Sequence, residues 1–170
     1  MARVSVRPER EIRAAADRVF RENRRRIRAA LPEAKVEHVG STAIPGAWTK
    51  GDMDVLVRVS AEQFDAAVAT RQGLYAIHQP DNWTATLASF VNVERCDLPV
   101  GVQLVVAGFA GDSLFGPFRD ALIRDPALLD EYPELKRRHD GADYEGYTDV
   151  KGAFDERVLA EIGNASAKTA

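Results

Sequence analysis

Apolar residues recur at helical spacing near the start of the chain and at every second position through its middle. Residues 8–31 place Ile12, Ala16, Val19, Phe20, Ile27 and Leu31 on one face, which predicts an amphipathic helix. Pro8 suits its first turn and Pro32 stops it. Residues 35–39 then read as a short strand leading into Gly40. Residues 52–59 alternate Met53, Val55, Val57 and Val59 against Asp52, Asp54, Leu56 and Arg58, the pattern of a half-buried strand. Ser60 and Gln63 make a capping box for a helix reaching about Arg71. Further strands are predicted over 74–78, 84–92 and 100–107, the last the most apolar. Three helices follow, over 114–124, 127–139 and 144–162, and the small, polar residues 163–170 read as a frayed tail.

Strands gathered in the middle, with helices before and after, predict an α+β fold whose sheet is covered mainly on one face. The other face would be the floor of a site. No linker or internal repeat divides the chain, so residues 1–170 are expected to form a single domain, a size able to bury a substantial core. No apolar run is long enough to span a membrane, which argues against a membrane partner. Charges near the N-terminus take the place of the apolar stretch that an export signal needs. The single cysteine, Cys96, excludes an internal disulfide. Both features point to a cytoplasmic location. The three histidines, His38, His78 and His139, are too scattered for a structural zinc site.

Charge adds one feature. Residues 1–31 carry ten Arg against four acids, a local balance of +6 in a chain of net charge −3. Such asymmetry makes a nucleic-acid partner possible, but the Arg24-Arg25-Arg26-Arg28 cluster has no interleaved aromatics. A solvated helix face is the favoured reading.

The residues that carry chemistry lie between the first two strands. Asp52 and Asp54 are two apart on an extended segment, so their carboxylates point the same way. That arrangement lets a divalent cation, Mg²⁺ foremost, bridge protein oxygens and substrate phosphates. Gly40 and Ser41 precede them by ten intervening residues and form a turn whose free N–H groups and hydroxyl can hold phosphates. Either feature alone is ordinary, a polar strand face or a tight turn. The two together make a phosphate site the better reading. The segment is not a P-loop, since Gly40 and Gly46 are one residue too far apart and no Gly-Lys-Ser/Thr follows. Lys50 adjoins the acids and can neutralise a phosphate. His38 is placed to fix the turn by a hydrogen bond, and Trp48 either stacks on a base or anchors the loop.

The phrase Val39-Gly40-Ser41, then Asp52-Met53-Asp54-Val55, resembles the polymerase-beta-like nucleotidyltransferase superfamily. The wider phrase from Glu37 to Gly46, followed by Thr49-Lys50-Gly51-Asp52, resembles one branch of it, the GrpB family (UPF0157). Phe118-Arg119-Asp120, Asp125-Pro126, Tyr132 to Lys136, and Tyr147 to Lys151 with Phe154 also fit, so the resemblance spans nearly the whole chain. It implies a mixed sheet of about four or five strands with the metal acids on a central strand. It also implies a nucleoside triphosphate as ligand and transfer of its nucleoside monophosphate to an unknown acceptor. Asp52 and Asp54 would be the catalytic and metal-binding residues. Lys136 and Lys151, on late helices, would join Gly40, Ser41 and Lys50 in holding phosphate, and Arg119 has a similar claim against a helix-to-sheet ion pair.

One departure stands out. Active members of that superfamily supply a third carboxylate from a neighbouring strand. Here the strand expected to carry it offers Gln103, with Asp97 just before it. A nucleotide-binding module without turnover is therefore the first alternative. An interaction domain working through the arginine-rich helix is the second.

Overall fold

The computed structural model describes residues 3–92 and 97–168, with side chains left out at Gln72 and from 165 onward. Cys96 lies outside the described residues. The chain runs β1 (Arg7–Pro8), α1 (Arg13–Ala30), β2 (Lys35–Val39), β3 (Trp48–Thr49), β4 (Met53–Val59), α2 (Phe64–Gln72), β5 (Ala76–His78), β6 (Leu87–Asn92), β7 (Val100–Val106), α3 (Asp112–Arg124), α4 (Pro126–Arg138) and α5 (Tyr144–Lys168).

Five strands form a mixed sheet in the order β2-β4-β7-β6-β5, in which only β4 and β7 run parallel. The predicted α+β class and strand number hold. A two-residue pair of β1 with β3 was not legible in the sequence, since runs so short carry no period. The predicted strand over 84–92 begins only at Leu87, because Thr84 bridges to Leu87 in a tight reversal. The last helix continues past Ile162 to Lys168, where the sequence suggested a frayed tail.

The main core lies on one face of the sheet. Ala16, Val19 and Ile27 of α1 and Phe64 and Ala67 of α2 pack there on Met53, Val55, Val57 and Val59. The spacing of those α1 residues gives the helix one apolar stripe, and helical packing on that stripe stabilises it more than propensity does. The second face is not bare. Helix α3 crosses β2 and β4, so Leu56, expected on a polar face, is buried with Val39, Val105 and Phe115. Helices α4 and α5 pack on α3 around Phe118, Leu122, Tyr132, Phe154 and Val158. Asp125 caps α4 by accepting from Ala127 N–H, with Pro126 in the first turn.

An ion network ties α3 to the sheet. Glu37 of β2 pairs with Arg58 of β4 at 3.0 Å and with Arg119 of α3 at 3.3 Å, and Arg58 also pairs with Asp112. Arg119 further donates to His38 O at 2.7 Å. Burial alone would raise the Glu37 pKa, but hydrogen bonds from Lys35 and Arg58 hold it down at about 2. Its folded value lies below the ordinary one. The stability it adds is therefore full above about pH 4.5 and lost as pH falls toward 2. Glu37→Gln is expected to cost about 1–3 kcal/mol at pH 7, allowing for its partial exposure. In urea unfolding the gap to wild type should shrink steadily between pH 5 and 2; a gap independent of pH would contradict this role.

Candidate functional site

Between the second face of the sheet and the helices α3 to α5 lies a cavity of about 400 Å³. Its wall contains seven of the residues the sequence singled out for phosphate and metal, Gly40, Ser41, Lys50, Asp52, Asp54, Lys136 and Lys151, while Arg119 is not among its lining. These come from four parts of the chain: the turn after β2, the edge and start of β4, α4 and α5. Topology explains the convergence. Helix α3 packs over Val39, Leu56 and Val105, while Asp54, paired with Val39 of β2 and Gly101 of β7, lines the cavity.

Asp54 sits in a slot made by two glycines. A Cβ on Gly40 would lie 2.2 Å from Asp54 Oδ2, and one on Gly101 would lie 2.8 Å from Oδ1. No side chain fits at either place without moving the carboxylate. Gly40 also has φ +73°, a left-handed conformation that L residues rarely adopt. The chain then turns through Ser41–Ala43, with Ser41 and Thr42 buried. His38 Nε2 and Thr42 Oγ1 share a hydrogen bond of 2.9 Å, and the His38 ring stacks on Phe20 of α1 at 5.2 Å. The expected fixing of the turn by His38 is thus present. Arg119 takes the structural alternative, the ion pair from helix to sheet.

Gly101 also answers the question of the third carboxylate. It is the β7 residue paired with Asp54, so the place beside Asp54 on that strand has no side chain at all. Gln103 pairs with Leu56 further along and accepts from Ser89 Oγ at 2.6 Å. Asp97 is exposed and pairs with Arg18. Trp48 is half-buried against Val4, Val6 and Tyr147, the loop-anchoring alternative.

The cavity mixes opposite charges at short range. Lys50 Nζ is 3.5 Å from Asp52 and also donates to Tyr144 Oη at 3.4 Å. Burial would lower the Lys50 pKa, but Asp52 and Tyr144 raise it above its ordinary value. Lys151 pairs with Asp155 one turn later on α5. Lys136 is 2% exposed with its ammonium 4.4 Å from the centre of the Tyr132 ring. Burial, then the positive charge of Lys151, pushes the Lys136 pKa down to about 7. Burial, then the negative charge of Asp52, pushes Asp54 up to about 7. Each group therefore waits near neutrality for a charge partner.

Tyr132, Tyr147 and Asp155 also line the cavity, and sequence reading did not name them as site residues. The one signal for Asp155 was its place four residues after Lys151, where helical geometry brings the two together.

The folded pKa of Asp54 lies above the unfolded one, so charging it costs stability as pH rises from about 4 through 7. Asp54→Asn is expected to stabilise the metal-free protein by roughly 2–4 kcal/mol at pH 8, with the gain vanishing near pH 4. Gly101→Ala should do the reverse, costing roughly 1–3 kcal/mol by displacing the carboxylate. Chemical unfolding of both variants across pH checks the pair. A wild type as stable as Asp54→Asn at pH 8 would show that Asp54 ionises freely.

Residues 10–161 match the family described as GrpB protein. A UPF0157 protein of Vibrio cholerae serotype O1 is 36% identical over 152 residues, 89% of this chain and 79% of the relative. A UPF0157 protein of Deinococcus radiodurans is 34% identical over 145 residues, 82% of this chain and 73% of the relative. Among solved structures, that of the conserved protein GrpB from Enterococcus faecalis superposes with a TM-score of 0.73 at 22% identity, covering 92% of this chain and 96% of the other. With its motif, its sheet and its cavity all in place, the chain belongs to the GrpB family.

Proposed function

We propose that the cavity binds a nucleoside triphosphate with Mg²⁺ and that the protein transfers the nucleoside monophosphate to an acceptor. One observation carries this reading. The carboxylates of Asp52 and Asp54, a Gly-Ser turn and three lysines from separate elements meet around a single 400 Å³ space. A triphosphate with its divalent ion uses all three kinds of group, the carboxylates through the ion.

The donor set suits one hard divalent ion. Asp54 on β4 and Asp52 immediately before that strand both line the cavity, and no group of three His, Cys, Asp or Glu close enough to hold an ion occurs among the described residues. Mg²⁺ fits such a pair, because it keeps waters and takes phosphate oxygens to complete its shell. When bound, the ion neutralises charge on the phosphates and polarises the phosphorus toward attack. The residues of the chain do the rest. Gly40 and Ser41 hold the terminal phosphates, and Lys50, Lys136 and Lys151 share their charge. A phosphate beside Lys136 favours its protonated form and so restores the charge that burial suppresses. Attack by the acceptor oxygen on the α-phosphorus forms one P–O bond as the bond to pyrophosphate breaks. Catalysis on this reading is chiefly positioning and charge stabilisation.

Gly101 favours a second reading, a nucleotide-binding module without turnover, because the base that would take the acceptor proton is missing from β7. Calorimetric titration of ATP and GTP with and without Mg²⁺, run beside an assay for pyrophosphate release, separates the two. Binding that needs Mg²⁺ and falls at least about tenfold in Asp52→Asn/Asp54→Asn is expected. Pyrophosphate release supports transfer, and binding without it supports the module. Absence of any nucleotide binding would contradict both.

A further inference from the structure

Helix α1 covers the face of the sheet opposite the cavity, and its outer side is basic. Arg21, Arg24, Arg25 and Arg28 follow the i, i+3, i+4, i+7 spacing, so they share one stripe of the helix. With Ala29 they line a single groove. Arg26, Ala29 and Ala30 line a second hollow with Gly73 and Leu74, which follow α2, so Ala29 joins the two. All five arginines are exposed, and none pairs with an acid among the described residues, although Asp17 and Glu22 stand one turn before Arg21 and Arg26. Arg13 and Arg18, earlier on the helix, do pair, with Glu9 and Asp97. A further cation lies beneath. Arg71 of α2 is fully buried, and none of its three guanidinium nitrogens has a hydrogen-bond partner among the described residues. Its guanidinium is 5.7 Å from the centre of the Tyr75 ring, whose hydroxyl donates to Asn23 of α1 at 2.8 Å. Five surface charges are thus backed by a sixth, in a chain of net charge −3. Repulsion within the patch and the unmatched burial of Arg71 both cost stability that a nearby anion returns.

We propose that this face of α1 binds the phosphodiester backbone of a nucleic-acid strand without reading its bases. Arg21 with Arg25, and Arg24 with Arg28, each stand one turn apart, about 6 Å along the axis. Two such rows let successive phosphates of one strand each take a guanidinium, which grips phosphate through two donors at once. Among the described residues the groove offers no aromatic to stack on a base and no amide or acid to select one. A bilayer is a poorer match, because α1 has already placed its apolar stripe of Ala16, Val19 and Ile27 against the sheet. A protein interface is built round an apolar core, and here the groove offers Ala29 alone. The surface stands apart from the nucleotide reading, since none of its arginines lines the cavity.

The test titrates the full chain into labelled single strands of about 20 nucleotides, as RNA and as DNA, and reads fluorescence anisotropy from about 50 to 200 mM salt. Four phosphate contacts should make affinity fall about fiftyfold over that range, a log–log slope near about −3. RNA and DNA strands of differing sequence should bind within about threefold of one another. Arg24→Gln/Arg25→Gln/Arg28→Gln should weaken binding at least about tenfold and flatten the slope by about 2, with Tm unchanged because these side chains are exposed. Arg137→Gln/Arg138→Gln, which removes exposed charge from α4 instead, should leave affinity within about twofold. An equal loss in the two variants overturns the surface, because net charge alone would then drive binding. Absence of binding at about 50 mM salt, or a slope unchanged in the triple variant, overturns it too. Vesicles of phosphatidylserine and phosphatidylcholine bound more tightly than the strands, with that binding lost in the triple variant, overturn it in favour of a membrane. The triple variant keeps every cavity residue, so its binding of ATP with Mg²⁺ should match wild type, and either reading can fail while the other stands.

Discussion

The arrangement turns on the close approach of the Asp54 carboxylate to the backbone of Gly40 on one side and Gly101 on the other. Three strands must be held in register for that slot to exist, because Gly40 follows β2, Asp54 lies on β4 and Gly101 on β7. Met53, Val55, Val57 and Val59 on one face, under α1 and α2, give the sheet its rigidity; the ion network of Glu37, Arg58 and Arg119 clamps α3 to the other. Together they place an acid where its ionised form is disfavoured and where small backbone shifts would be felt at once. Asp54 is held ready, and a cation or a cationic side chain is what would settle its charge.

The helical layer answers the sheet with the opposite sign. Lys136 and Lys151 reach the cavity from α4 and α5, and each burial penalty there is set against an acid nearby. Placing unlike charges in one enclosed space keeps the free protein foldable while leaving donors and acceptors available to a polyanionic ligand with its counter-ion. The same layer carries the aromatic cluster of Phe118, Tyr132 and Phe154, whose rings lie 5.3–6.3 Å apart and fix the helices that bear those lysines.

Much of this was legible in the chain itself. The period of α1, the valine alternation of β4, the capping box at Ser60 and the Gly-Ser to Asp-x-Asp spacing each rest on local rules, and local rules can be read from sequence. Three things were not legible. Leu56 looked solvent-facing because a strand covered on both faces differs from a half-covered one only through the helix laid over it later in the chain. Gly101 looked like an ordinary strand glycine, since its meaning is the space it leaves for a carboxylate 47 residues earlier. Tyr147 and Asp155 sit on a long helix that shows many polar residues, and only packing selects the face that meets the cavity. The lysines stood out chiefly through the family pattern, because a buried Lys136 is not what a run of Lys-Arg-Arg suggests.

The most direct test of the central claim follows the Asp54 side-chain carboxyl carbon by NMR as pH is varied, first in the free protein and then with Mg²⁺ and ATP. The account predicts a free-protein midpoint near 7 and, with both ligands present, a carboxylate already ionised at pH 6. A midpoint in the ordinary aspartate range, or a titration that Mg²⁺ and ATP leave unmoved, would contradict it.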